Sequence, residues 1–143
     1  RIEAGWRPDP EPGRRLVAEH DGWRAWVPHA PSFPVSVEIA PLHHERDLPS
    51  MDGTCRDGLA AILIDVLGRL DRLFGRPLPY MMWLNQRPTV ADGLHDDTWF
   101  NVEIVSPWRS DGVMRFIAAA EVASEEFFNP VIPEELAERL RSA

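Results

Sequence analysis

Cysteine is almost missing from this sequence: Cys55 stands alone among 143 residues. A single thiol excludes an internal disulfide and any CxxC-type zinc site. Cys55 falls just before or inside the first turn of a predicted helix, where a thiol pKa can be lowered; the plainer reading is a small, partly buried side chain. Basic charge is also short. Fifteen Lys and Arg against 23 Asp and Glu leave a formal net charge of -8, which argues against nucleic acid as the main partner. A small anionic ligand needs only a local Arg or backbone N–H patch and stays open. The apolar runs are short and interrupted, so no membrane span is expected. No signal peptide is visible, and a cytoplasmic location is expected. The chain opens on Arg1 rather than Met, and the expectation is that it was processed or belongs to something longer.

Chemistry-bearing motifs are scarce as well. None of the five histidines (His20, His29, His43, His44 and His95) has a partner at metal-binding spacing. His43 and His44 are adjacent, so in extended chain they point to opposite sides. His95-Asp96-Asp97 reads as a solvated loop. No Ser/His/Asp order, P-loop or glycine-rich phosphate cradle is present.

What is there suits one soluble domain: 44% hydrophobic and 27% charged residues, in a chain long enough for a substantial core. Residues 1–13, with Pro8, Pro10, Pro12 and Gly13, read as an entry linker, and 14–143 as the domain. Leu16 to His20 and Trp23 to Val27 predict a hairpin closed by Asp21-Gly22. Val35, Val37 and Ile39 alternate with Ser36 and Glu38 as a third strand. Leu59, Ile62, Leu63, Val66, Leu67, Leu70, Leu73 and Phe74 predict a helix from about Met51 or Thr54 to Phe74. Thr54 and Asp57 resemble a capping box, and Gly75 with Pro77 marks the stop. Leu78 to Asn85 and Trp99 to Val105 predict two more strands. Val113 to Ala120 predicts a last extended stretch, and Pro133 opens a short C-terminal helix with Glu134 and Glu135 in its first turn. Strands, one long helix, strands and a short helix give an α+β fold with an antiparallel sheet.

Trp99, Asn101 and Glu103 share one face of the fifth predicted strand, opposite Phe100, Val102 and Ile104. A solvated outer face is the plain reading of that pattern; Trp99 favours a cleft or an interface. Arg115 and Glu121 flank small residues, and Phe127-Phe128-Asn129-Pro130 reads as an apolar turn.

Taken in order, Arg14 to Trp23, Pro41-Leu42-His43-His44, Arg56 to Leu63, Pro79-Tyr80, Trp83 to Pro88, Arg115-Phe116 with Glu121, Phe128-Asn129-Pro130 and Pro133-Glu134-Glu135 resemble the C-terminal half of the galactose-1-phosphate uridylyltransferases. The resemblance covers about residues 14–142. It implies a histidine-triad-like half: an antiparallel sheet, one long helix and a short C-terminal helix. It implies an activity that passes a uridylyl group between hexose-1-phosphates through a covalent uridylyl-histidine. That histidine lies in a His-Pro-His motif of the first half, which this chain lacks. No catalytic residue is therefore expected here, and zinc is expected only in an N-terminal half. The resemblance further implies a metal site at Asn85, Asn101 and Glu103. Some relatives carry Glu at the last position, but Asn replaces His at the other two, so a degenerate site without metal is expected. Arg115, Phe116 and Glu121 match positions that reach the hexose in a partner subunit's active site. Ala120 departs from the Tyr of some members, which puts sugar preference in doubt.

The expected partners are an N-terminal half or a homodimer mate, and a hexose-1-phosphate or UDP-hexose. The expected function is a hexose-1-phosphate uridylyltransferase half that is not active alone. The alternative is a non-catalytic sugar-nucleotide-binding or scaffold module. A free-standing histidine-triad-like hydrolase would need His-x-His where this chain has Asn101-Val102-Glu103.

Overall fold

A computed structural model describes residues 6–89 and 97–143. The Asp92-Gly93 and His95-Asp96 positions of the predicted loop lie outside those residues. Strand β1 (Leu16–His20) turns into β2 (Trp23–Trp26) through Asp21 and Gly22, whose φ values of 44° and 81° are both positive. That is the left-handed pair a two-residue hairpin demands, and it explains Gly at the second position. β3 (Val35–Pro41) leads through a 3-10 turn at Leu48–Ser50 to the long helix α1 (Gly53–Arg72). β4 (Met81–Asn85) and β5 (Asn101–Ser106) complete a five-stranded sheet of order β1-β2-β3-β5-β4, with every neighbouring pair antiparallel. β6 (Trp108–Ser110) and β7 (Val113–Met114) form a separate small hairpin, followed by α2 (Ala119–Ser124) and α3 (Pro133–Ser142).

α1 covers one sheet face. Its Leu59, Ile62, Val66 and Leu70 are buried in one core with Ala25, Val37, Ile39, Val102 and Ile104. Leu63, Leu67, Leu73 and Phe74, predicted on the same stripe, pack half-buried at its margin. Leu136, Ala137 and Leu140 dock α3 onto that core, as the C-terminal pattern predicts. Arg141 of α3 donates to the carbonyls of Arg14 and Leu16, so this helix also closes the β1 end of the sheet.

The helix start differs from the prediction. Asp52, not Thr54, is the N-cap, and its carboxylate accepts the Cys55 N–H at 2.8 Å. Asp serves as well as Thr in this role because any short side-chain oxygen reaches the free donors of the first turn. Cys55 therefore lies inside the first turn. Burial, then the charges of Glu45 and Asp52, push its thiol up, so the plain reading of this cysteine holds. The extended stretch predicted over Val113 to Ala120 ends at Met114, and a short helix begins at Ala119. Here a local cap starts the helix: the Glu121 carboxylate, three residues on, folds back to accept the Ala118 N–H at 2.7 Å. The fifth strand begins at Asn101 rather than Trp99, because the Phe100 N–H is taken by the Glu45 carbonyl at 2.7 Å. Residues 6–12, inside the predicted linker, lie against the sheet. Trp6 stacks on Trp26 with centroids 6.3 Å apart, and Arg24 donates to the Asp9 and Pro10 carbonyls.

Gly58 is where helix and hairpin meet most closely. A Cβ there would stand 2.8 Å from both the Asp21 carbonyl oxygen and the Trp23 ring. Trp23 is fixed in turn by donating its indole N–H to the Cys55 carbonyl at 2.9 Å. Gly58→Ala gains up to about 1 kcal/mol of helix propensity and loses about 1–3 kcal/mol to overpacking. Urea denaturation is expected to show net destabilisation; a variant as stable as the parent would show that α1 can lift off the hairpin freely.

Candidate functional site

The sheet face away from α1 carries the polar residues that alternate with the core. Antiparallel register sets Trp26 opposite Glu38, Glu38 opposite Glu103, and Glu103 opposite Trp83, one row across four strands. Residues directly opposite share a face, with Cβ atoms about 5 Å apart. The neighbouring row pairs Asn101 with Asn85. Loop residues Pro28 to Phe33 wall this face and leave an open cavity of about 260 Å³, with Glu38, Glu103 and Trp83 on its lining.

Two carboxylates in one row oppose each other's charge. Burial, then the Glu103 charge, raise the Glu38 carboxyl to about 7, and a hydrogen bond from Trp26 only partly offsets them. Folded Glu38 thus holds its proton where the unfolded chain, near 4.5, has released it. The contribution of Glu38 to stability is full below about pH 4.5 and is lost as pH rises through about 7. Glu38→Gln removes the charge and keeps the shape. At pH 8 it is expected to stabilise the fold by up to roughly 3 kcal/mol, and at pH 4 to change little. Denaturation curves at the two pH values check this; equal effects at both would contradict it.

The three residues that the resemblance marks as a metal site do come together. Asn85 Nδ2 donates to Asn101 Oδ1 at 2.8 Å and to Glu103 Oε1 at 2.7 Å. Asn101 is 5% exposed and donates its own amide to the Trp99 carbonyl at 3.3 Å. This donor set does not fit zinc or iron. It offers one carboxylate and two neutral amides, which are poor ligands beside imidazole, and the space between the two acceptor oxygens faces an N–H2 group. The histidines do not repair the deficit. His20 bonds Asp65 at 2.7 Å, His44 bonds the Thr98 carbonyl at 3.0 Å, and His29 and His43 are exposed. Among the described residues, no three His, Cys, Asp or Glu side chains stand together as a metal-binding group.

The second predicted cluster is built differently. Arg115 and Glu121 form a nearly buried ion pair, their side chains 8% and 3% exposed. Arg115 also donates to the Ser32 carbonyl at 2.6 Å and the Phe128 carbonyl at 3.3 Å. Glu121 accepts the Ala118 and Phe128 N–H groups at 2.7 and 2.8 Å. Asn129 adds bonds to the Pro31 and Phe33 carbonyls. Together these side chains clamp the segment after β7 onto the loop that walls the cavity. Phe116, one residue from the clamp, is 87% exposed.

Glu38, Trp26 and Trp83 escape a reading of single strands. Glu38 stands in a plain alternation, and only the β3–β5 pairing shows that it faces Glu103. Asn129 offers a faint signal, a polar residue in an otherwise apolar turn.

The edge of the sheet completes the picture. Met81, Met82, Trp83 and Leu84 are 39–49% exposed, on both faces of β4 alike. The helix layer therefore stops short of this strand, and among the described residues no strand pairs with its outer side. No helix of the described residues is long and apolar enough to cross a membrane.

Comparison with known proteins agrees with this architecture. A galactose-1-phosphate uridylyltransferase of Thermotoga maritima is 33% identical over 127 residues, covering 89% of this chain and 40% of the relative. One of Cryptococcus neoformans is 34% identical over 135 residues, covering 90% and 35%. A solved uridylyltransferase mutant superposes with a TM-score of 0.80 at 30% identity, over 91% of this chain and 42% of the other. A zinc-bound histidine triad family protein of Mycobacterium smegmatis shares the fold alone, with a TM-score of 0.57 at 15% identity, over 89% and 81%. The chain thus spans about two fifths of the length of the uridylyltransferases it matches. The sequence model described as galactose-1-phosphate uridyl transferase, C-terminal domain, matches residues 10–143, and the chain belongs to that family.

Proposed function

We propose that this chain is the C-terminal half of a hexose-1-phosphate uridylyltransferase-like protein and acts only when joined to an N-terminal half. The observation that carries this is the sheet edge. β4 presents consecutive apolar residues on both faces, and a strand left in that state invites another chain segment. The relatives supply a candidate, since more than half of their length lies outside the match. In this reading the covalent histidine and any zinc belong to the first half, and no residue here forms a bond to uridylyl. This half supplies an apolar surface and a shaped segment near the hexose. Arg115 and Glu121 are spent on each other and on backbone groups. Their role is to set the position of the segment, and exposed Phe116 is its sugar-facing member. A UDP-hexose and a hexose-1-phosphate are the substrates, and the setting is cytoplasmic.

Mixing the chain with a separately made first half of a family member tests the proposal. Uridylyl transfer between hexose-1-phosphates is expected from the mixture and from neither part alone. Physical association without any transfer would remove the catalytic reading.

The amides at Asn85 and Asn101 favour one second reading, a sugar-nucleotide-binding or scaffold module without transfer activity. Calorimetry on the chain joined to a first half separates the two. Binding of UDP-hexose without turnover supports the module, and no binding by either sugar class leaves only a scaffold.

A further inference from the structure

We infer that Asn85, Asn101 and Glu103 form a metal-free lock between β4 and β5, in which the Asn85 amide N–H2 takes the place of a cation. The inference does not depend on the proposed function. It rests on how the hydrogen bonds fix every amide. Glu103 can only accept, so the Asn85 atom 2.7 Å from its Oε1 is the nitrogen. The Trp99 carbonyl can only accept, so Asn101 gives it Nδ2 and turns Oδ1 towards Asn85. The two hydrogens of Asn85 Nδ2 are thereby matched to two acceptor oxygens on alternate residues of β5. Asn101 Oδ1 and Glu103 Oε1, the oxygens that converge between the strands, thus already hold a hydrogen each. The amide nitrogen between them has no lone pair free for coordination, because it is delocalised into the carbonyl.

The arrangement also makes chemical sense in its surroundings. Glu103 faces Glu38 across the sheet, so its charge needs donors on the other side, and charge-assisted N–H donation is the stronger kind of hydrogen bond. The lock joins the exposed edge strand to its only sheet neighbour among the described residues. Edge order is therefore held by groups that need no loading.

One isosteric change reverses the polarity of the lock. Asn85→Asp replaces the donor by a second carboxylate and leaves three oxygen acceptors facing one another with nothing between them. Hard divalent cations prefer such an all-oxygen set. The experiment is thermal unfolding of the chain and its variants after chelation, with and without millimolar Mn2+ or Zn2+, together with metal content by mass spectrometry. The parent chain is expected to carry no stoichiometric metal, and its Tm should not move with EDTA or either ion. Asn85→Asp is expected to unfold several degrees lower without metal and to regain much of that loss with Mn2+. Glu103→Gln keeps an oxygen for Asn85 and relieves Glu38, so its Tm should equal or exceed the parent's. The inference is overturned if the parent retains an equivalent of metal or shifts with either ion. It is overturned equally if metal-free Asn85→Asp matches the parent, or if Glu103→Gln falls by several degrees.

Discussion

Arg115→Ala is expected to destabilise the fold by about 3–5 kcal/mol, the range for removing one partner of a buried ion pair. The size follows from what is left behind. Glu121 is 3% exposed, and without the guanidinium its carboxylate keeps only the Ala118 and Phe128 N–H donors. The carbonyls of Ser32 and Phe128 lose a donor at the same time. Damage should therefore spread in two directions, into α2 and into the loop that walls the outer cavity. Chemical denaturation gives the total, and hydrogen exchange at the Ala118 and Phe128 amides locates it. Arg115→Lys keeps the charge but not the forked geometry, and should lose less. A loss below about 1 kcal/mol for Arg115→Ala would mean the pair behaves like a surface salt bridge and clamps nothing.

Trp83→Ala is expected to behave in the opposite way, with a small effect on the chain and a large one on assembly. Trp83 is 39% exposed on an edge strand, whereas Trp23 is 1% exposed beneath α1. Trp23→Ala belongs with core truncations of about 3–5 kcal/mol. Trp83→Ala should fall well short of that in the isolated chain. A central aromatic at an interface carries about 2–4 kcal/mol of binding, so affinity for a first half should drop about 30- to 1,000-fold. Sedimentation or surface-binding measurements read the affinity, and thermal unfolding reads the chain. An affinity change below about threefold, under 1 kcal/mol, would place the partner away from β4.

The two variants show what a sequence reveals and what it withholds. Period-2 and period-3.6 patterns placed β1, β2, β3 and the buried stripe of α1 because each segment's own spacing names its buried face. The C-terminal helix was equally plain, with Pro133 at its start and Leu136, Ala137 and Leu140 facing the core. Two kinds of feature were hidden. One kind depends on strand order: Glu38 and Glu103 lie 65 residues apart in the chain, and only β3–β5 pairing makes them neighbours. The other kind depends on where one side chain is held, as at Glu121, whose carboxylate pairs with Arg115 and caps the Ala118 N–H, so that a helix starts inside the predicted extended stretch. The Asn85 cluster lies between these cases. Asn101 and Glu103 were legible as a pair on one strand face, and their convergence with Asn85 followed from the family resemblance. The donor–acceptor order that closes the cluster appears only in the folded chain.

The most direct test of the central claim is native mass spectrometry of the protein isolated from its source. The account predicts a particle that contains a first half, whether in one continuous chain or as a second chain held at the β4 edge. A particle made only of copies of this 16.3 kDa chain would contradict it.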